Sequence, residues 1–377
     1  MKELRNFSKI LGVVFVAIEL KAKQRPLRIA LVAHVFHPSV GGVEITSDIL
    51  ARGFMRHGAE VTVITNTPEA HQTRVFPYDV IRRPSPWRLL ALVNRADVVF
   101  HNNPAISLWW PLALIRKPWM VTLRMWVTMP GQKLSRLQRL KYAAKYRIIG
   151  RADVLVANSK VLANHVDGDV EVIPNSYRDE FFSVLDDEGR APLGIVYLGR
   201  LSQDKGVDLL IQAAADLVGE IDGFTLTIVG DGTERVRLET LARENGLGNV
   251  VKFLGSQGPE EANRILNRNS IVVIPSRMPE PFGTVALEAA AAGCVVVYAN
   301  HGGLPDAAGE QAIGFTPLDS TSLSGHLKVL LSNPKDVAAR RKDAVAHADR
   351  HKENVMVDRY YAAIERTLME SGHGRNH

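Results

Sequence analysis

The sequence predicts an α/β protein built from two doubly wound halves, each a parallel sheet with helices on both faces. Three observations predict it. Short apolar runs alternate with helical stretches through most of the 377 residues, the order that parallel strands and their crossover helices require. The alternation is interrupted by a polar, acidic segment at residues 177–192 that carries Gly189 and Pro192, and such a segment reads as an interdomain linker. The chain is also too long for one ordinary domain and suits two of similar size.

The first half opens with an apolar strand at residues 28–34, a loop containing Gly41 and Gly42, and a helix over 44–57. Further strands are expected at 60–65, 97–101, 119–123, 153–157 and 171–173, short runs rich in β-branched residues. From Leu134 onward Leu134, Leu137, Leu140, Ala144 and Ile148 recur at three- and four-residue spacing, which predicts an amphipathic helix. The pattern restarts at 194–199, contains the buried-type strand 271–274, and ends near Asn354. A last helical stretch covers 355–369.

Composition is that of a globular protein, 46% hydrophobic and 23% charged. The single Cys294 excludes an internal disulfide framework and a zinc-type cluster, and its apolar surroundings read as a packed thiol. No apolar stretch reaches the roughly 20 residues needed to cross a bilayer. The net charge of +6 is unevenly spread, since no acidic residue lies between Asp97 and Asp153. Basic residues such as Arg136, Arg139 and Lys145 interleave with the apolar stripe there. That helix reads either as an element for an anionic membrane surface or as a core helix with a solvated basic face. No nucleic-acid motif accompanies the charge, so nucleic acid is not an expected partner. Residues 1–26 repeat the theme, with Leu4, Phe7, Leu11, Val14 and Ile18 spaced as one helical face beside Lys2, Arg5 and Lys9. A signal peptide fits in outline only, because Glu19 and Lys21 follow the apolar run without a small-residue cleavage site.

The stretch Pro275-Ser276-Arg277-Met278-Pro279-Glu280-Pro281-Phe282-Gly283-Thr284-Val285-Ala286-Leu287-Glu288 carries the chemistry. Its prolines end the preceding strand, and Gly283 and Thr284 open a helix whose unpaired N–H groups and partial positive charge suit a phosphate. Carboxylates on either side, Glu280 and Glu288, can accept hydrogen bonds from sugar hydroxyls. The combination suits a ligand that is part diphosphate and part sugar. Arg200 and Lys205 follow the strand at 194–199 and suit the same diphosphate, Arg as a fork and Lys as a mobile point charge.

These residues resemble the retaining glycosyltransferases of family four, whose signature is two glutamates separated by seven residues, here Glu280 and Glu288. The resemblance runs from about residue 28 onward. It includes Pro38-Ser39-Val40-Gly41-Gly42-Val43-Glu44, Gly199-Arg200-Leu201 with Lys205-Gly206, Ile228-Val229-Gly230-Asp231-Gly232, Val250 to Gly255 and Gly302-Gly303-Leu304-Pro305-Asp306. It implies the GT-B fold, two doubly wound Rossmann-like domains facing across a cleft. The first would be residues 28–178 with a returning helix at 355–377, the second 193–354, with 1–27 an extension.

The resemblance further implies a transfer of sugar from a UDP- or GDP-sugar to a glycan or lipid-linked acceptor, with retention and without a metal or other cofactor. Glu280, Arg200, Lys205 and His101 would act at the reacting centre. Gly41, Gly42, Gly283, Thr284, Val285 and Glu288 would bind the donor, with Glu288 on the ribose. His101 rests mainly on the resemblance, since a lone histidine at a strand end is more often structural. Arg124-Met125-Trp126 stands where many relatives carry a histidine. The implied location is cytoplasmic, peripheral at the inner face of the plasma membrane. Two other classes keep the same donor motifs: a nucleotide-sugar-binding protein without turnover, and a GT-B nucleotide-sugar epimerase.

Overall fold

The computed structural model describes residues 25–373 apart from 40, 70–73, 105, 130 and 187. Residues 4–18, read above as one helical face, lie outside the described residues. The chain divides into two units: one runs to Ile173 and resumes at Asn354, the other is Pro174–Glu353.

The first unit contains β1 (Arg28–Val32), α1 (Gly42–Arg56), β2 (Glu60–Thr65), β3 (Asp79–Arg82), α2 (Pro86–Arg95) and β4 (Val98–Asn102). Two short turns, α3 (Ile106–Trp109) and α4 (Pro111–Leu114), lead to β5 (Trp119–Leu123), α5 (Arg136–Ile149), β6 (Val154–Ala157), α6 (Lys160–Ala163) and β7 (Val170–Val172). Among the described residues its sheet has seven strands in the order β3-β2-β1-β4-β5-β6-β7, every pair parallel.

Strands that are apolar at every position must be covered on both faces. Ile29 and Leu31 of β1 pack with Leu50 and Phe54 of α1 on one side. Ala30 and Val32 pack with Leu89 and Val93 of α2 on the other. The edge strand β3, with Asp79 and Arg82 at its ends, was missed by the apolar-run reading because an edge needs no continuous hydrophobic stretch.

The second unit contains β8 (Gly194–Leu198), a 3₁₀ turn (Gln203–Lys205), α7 (Val207–Leu217), β9 (Thr225–Val229), α8 (Arg235–Glu244), β10 (Val251–Gly255), α9 (Pro259–Arg268) and β11 (Ile271–Ile274). It continues with α10 (Thr284–Ala291), β12 (Val295–Ala299), α11 (Leu304–Ala308), β13 (Ile313–Phe315), α12 (Ser320–Leu331) and α13 (Pro334–Asp349). Its strands run β10-β9-β8-β11-β12-β13, again parallel. Ile195 and Tyr197 of β8 face Leu210 and Ala214 of α7, while Val196 shares the opposite face with Leu287 and Ala290 of α10.

The final helix, α14 (Glu353–His373), belongs from Asn354 onward to the first unit. It is anchored there by fully buried Tyr360, whose hydroxyl lies 2.9 Å from Thr122 Oγ1. Gly53 of α1 is where the two helices meet closely, since a Cβ there would collide with Val357.

The segment 177–192 corrects the linker expectation. It is part of the second unit, with Tyr177 and Phe182 buried in that unit's core. Its main chain is held to α9 by side-chain amides: Ser183 N–H donates to Asn263 Oδ1 (3.3 Å) and Leu185 N–H to Asn267 Oδ1 (2.9 Å). Its exposed polar side chains, such as Glu180, Ser183 and Asp186, gave the linker-like composition, while its buried aromatics and backbone bonds fix it to the unit.

Candidate active site

In an open parallel sheet, ligands bind beyond the carboxyl ends of the strands where the strand order reverses. In the second sheet that point lies between β8 and β11, so the loops leaving these strands, 199–206 and 275–283, should form the site. They carry Arg200, Lys205, Glu280 and Gly283.

The two loops are fastened to each other by their backbones. Arg277 N–H donates to the Asp204 carbonyl at 2.8 Å. Gly206 has φ of 65° and caps the 3₁₀ turn, and a Cβ there would run into the Pro275 carbonyl. Both the left-handed backbone and the close approach require glycine. A third loop backs the second, with Gly303 N–H donating to the Glu280 carbonyl at 2.7 Å.

This scaffold sets the side chains. Lys205 Nζ lies 2.7 Å from Glu280 Oε1, and Ser276 Oγ donates to the same oxygen. The Glu280 side chain is 16% exposed, so the pair is partly shielded from water, where charge-assisted contacts are strongest. Arg200 is exposed and engaged within its own turn, its Nε donating to Ser202 Oγ at 3.3 Å and its guanidinium 3.8 Å from Asp204. Gly283, at φ of 101°, is the N-cap of α10 and offers no side chain to the first N–H groups of that helix. Thr284 and Val285 form its first turn. The site thus presents a lysine, an arginine and an open helix N-terminus beside a carboxylate.

Glu288 sits on α10 one helical turn and a half from the cap, among Ala286, Leu287, Ala289 and Ala290 that are buried. Its carboxylate is 13% exposed and lies 3.3 Å from Arg178. Burial pushes its pKa up, and the Arg178 guanidinium works against that rise. Arg178 and Ser276 were not singled out from the sequence. A glutamate in an otherwise apolar helical face is itself a signal that a buried carboxylate needs a donor, but only the fold shows which residue supplies it.

The first unit has its own reversal between β1 and β4. Gly41 caps α1 and Gly42 is its first residue; no side chain caps that helix, and a Cβ on Gly41 would come within 2.7 Å of the Glu44 carboxylate. Asn102, ending β4, ties the two elements by donating to Ser47 Oγ (2.6 Å) and the Val43 carbonyl (3.2 Å). Arg124 is buried, donates to Asn102 Oδ1 and lies 5.2 Å over the Tyr360 ring, so it braces β4 and β5 against α14.

His101, which the resemblance sets at the reacting centre, is 1% exposed, its Nδ1 accepts from the Trp119 indole at 2.9 Å, and burial lowers its pKa to about 3. An imidazole so placed is neutral. Asp231 is a turn residue, accepting from Gly232 N–H at 2.7 Å and from Arg235 at 2.9 Å.

Comparison with known proteins places this arrangement. The family described as "Glycosyltransferase Family 4" matches residues 40–181, and "Glycosyl transferases group 1" matches residues 187–347. The glycogen synthase of Mycobacterium tuberculosis is 38% identical over 157 residues, 41% of this chain and 37% of that one. The D-inositol 3-phosphate glycosyltransferase of Segniliparus rotundus is 29% identical over 254 residues, 62% of this chain and 56% of that one. The chain therefore spans less than two thirds of the length of either relative. The solved structure of Anabaena Alr3699/HepE in complex with UDP matches with a TM-score of 0.75 at 20% identity, covering 90% of this chain and 100% of that one. That likeness shows the fold, GT-B. Matched in both units and in the family's order, the chain is similar to the family-four glycosyltransferases.

Proposed function

We propose that this protein transfers a sugar from a nucleoside-diphosphate sugar, a UDP- or GDP-sugar, to a glycan or lipid-linked acceptor with retention of configuration. The observation that carries the reading is the meeting, at the switch point of the second sheet, of the Lys205–Glu280 pair, the uncapped start of α10 and the shielded Glu288. The diphosphate would lie on the helix N-terminus near Gly283 and Thr284. Lys205 and Arg200 would exchange their present partners for its oxygens and meet the charge that grows as the sugar departs, with no call on a metal ion. Glu280, released from Lys205, would accept hydroxyls of the donor sugar, and Glu288 those of the ribose. Retention follows if the acceptor attacks from the face the diphosphate leaves, assisted by that phosphate. The UDP complex of the similar HepE protein supports a nucleoside diphosphate as ligand.

The test is to measure thermal stabilisation by UDP-, GDP- and ADP-sugars, then to supply the stabilising donor with glycan and lipid-linked acceptors. The anomeric configuration of the product, read by NMR coupling, should match that of the donor. An inverted product overturns the mechanism, an isomerised donor points to an epimerase, and binding without any product leaves only a binding protein.

The acceptor side favours a membrane surface. Along α5, Leu137 is 78% and Leu140 69% exposed, and Ile149 is the one position of that helix fully buried among the described residues. Arg136 and Arg139 are exposed beside them. A core-facing helix would hide these leucines. An apolar edge ringed by cations instead complements an anionic bilayer, into which leucines insert while cations meet the headgroups.

A further inference from the structure

Arg178 is held with more care than a surface arginine needs. Its guanidinium carbon lies 5.5 Å from the Phe181 ring centre and 5.4 Å from that of Phe182. Phe182 is fully buried, and the chain just beyond it is fixed by the amides of Asn263 and Asn267. Faces of aromatic rings attract a guanidinium and fix its plane. The remaining direction of the group is spent on one partner, with one terminal nitrogen donating to Glu288 Oε1 at 3.3 Å.

Among the described residues, the other guanidinium groups beside α10 turn to its far end, Arg190 donating to the Ala292 carbonyl at 2.7 Å and Arg341 to the Gly293 carbonyl at 3.0 Å. Glu288's own helix is alanine-rich, and α13 meets that region of the core through Ala344 and Ala348. The titratable group on that face of α13, His347, turns to α11, with Nε2 3.0 Å from the Ala307 carbonyl. The neighbouring helix α9 contributes Ala262, Ile265 and Leu266.

A carboxylate can accept from both hydroxyls of a ribose, whereas a protonated carboxyl has given up part of that capacity and must itself donate. We infer that Arg178 is a positioning residue of the nucleotide site, which holds the Glu288 carboxylate charged and aimed so that it accepts the ribose hydroxyls. The inference rests on the reading of Glu288 as the ribose acceptor. Burial pushes the Glu288 carboxyl up, and Arg178 is the charge that opposes it. Without Arg178, protonation should reach toward neutral pH, so nucleotide binding would weaken as the solution is acidified and recover as pH rises.

Isothermal titration of UDP-glucose, GDP-mannose and ADP-glucose from about pH 5.5 to 8.5 tests this, because their pyrophosphate diesters do not titrate in that window. The unaltered protein should bind one of them with nearly constant affinity. Arg178→Gln should lose affinity toward low pH, by up to about tenfold per pH unit below the raised pKa, and Arg178→Lys should restore the flat profile. Adding Glu288→Gln to Arg178→Gln should abolish the slope, since nothing at 288 then titrates. A uniform loss in Arg178→Gln at every pH, or none, overturns the role given to Arg178. Wild-type affinity in Glu288→Gln alone removes Glu288 from the ribose instead, and no binding of any probe to the unaltered protein overturns the reading of the site beneath both. Thermal unfolding of each variant, with Arg178→Lys as the conservative control, separates loss of fold from loss of the slope.

Discussion

Lys205 and Glu280 form a 2.7 Å ion pair that shares an oxygen with the Ser276 hydroxyl. The lysine compensates a partly shielded carboxylate, and the carboxylate fixes the position of the ammonium group. In the proposed reaction an arriving diphosphate would give the same lysine a stronger partner and free the carboxylate for hydroxyls. Lys205→Met should therefore lower turnover by about a hundredfold or more. Arg200→Ala should lower it by a similar factor, because its exposed 3.8 Å contact with Asp204 is weak and readily exchanged. Steady-state rates with the stabilising donor check both, and near-normal turnover in both would discard the clamp. Glu280→Gln should impair use of the donor sugar while the free nucleoside diphosphate still binds, whereas Glu288→Ala should weaken the diphosphate too. Titration calorimetry that finds equal losses in the two variants would contradict that division. The motif residues were legible because glycine, proline and paired charges in a fixed order leave a local imprint. Arg178 was not, since it meets Glu288, 110 residues away, through tertiary packing and lies in a stretch whose polarity read as a linker, and Ser276 was not, since its bond to Glu280 depends on how the loop between them folds.

At the scale of elements, apolar runs located six of the seven strands of the first unit and two of the six of the second, because central parallel strands are buried on both faces and must be continuously hydrophobic. Two of the failures share one cause. An edge strand such as β3 and an extended segment pinned by Asn263 and Asn267 owe their places to partners elsewhere, and composition does not record partners. The helix α5 is the informative middle case. Its period was plain, but period alone left both a core face and a lipid-facing face open. Its later residues Tyr142, Tyr146 and Ile148 pack on the core beside buried Ile149, while Leu137 and Leu140 at its start are exposed. Lys145 is half-buried, and burial, with Lys141 nearby, lowers its pKa, so Arg136 and Arg139 are the better probes of the surface. Vesicles containing anionic lipid should bind the protein at low salt and release it as salt rises, each basic residue contributing on the order of 1 kcal/mol. Changing Arg136 and Arg139 to Glu, or Leu137 and Leu140 to Ser, should abolish sedimentation with vesicles and leave donor binding intact. If the unaltered protein ignores such vesicles, a soluble acceptor replaces the lipid-linked one.

The whole molecule is two hydrophobic cores on one chain, each sheet with its own pair of apolar faces. The chain crosses between the units near residues 173 and 353. Units with separate cores are expected to respond separately to damage confined to one of them. Asp97 offers a clean way to ask. It lies at the start of β4 in the first unit and gathers Arg25 (2.7 and 2.8 Å), the Arg28 N–H (2.9 Å) and the Arg28 guanidinium (3.4 Å). Burial alone would raise its carboxyl, but these donors together hold it well below the usual carboxylate range. A group whose pKa is depressed by folding stabilises the native state above its unfolded value and loses that contribution as pH falls through the folded one. Asp97→Asn should then lower the unfolding transition of the first unit near pH 7, by about 1–2 kcal/mol for charge-assisted bonds that are partly exposed. The difference from the unaltered protein should shrink as the solution is taken below about pH 4, where the aspartate of the unfolded chain begins to protonate while the native one stays charged. The transition of the second unit, which carries the proposed nucleotide site, should stay where it was throughout. Differential scanning calorimetry from pH 7 down to pH 3, with a stabilising nucleotide added to mark the second unit, resolves the two. A shift of both transitions together would show that the units unfold as one body, and a difference that persists undiminished in acid would show that Asp97 acts through packing rather than charge.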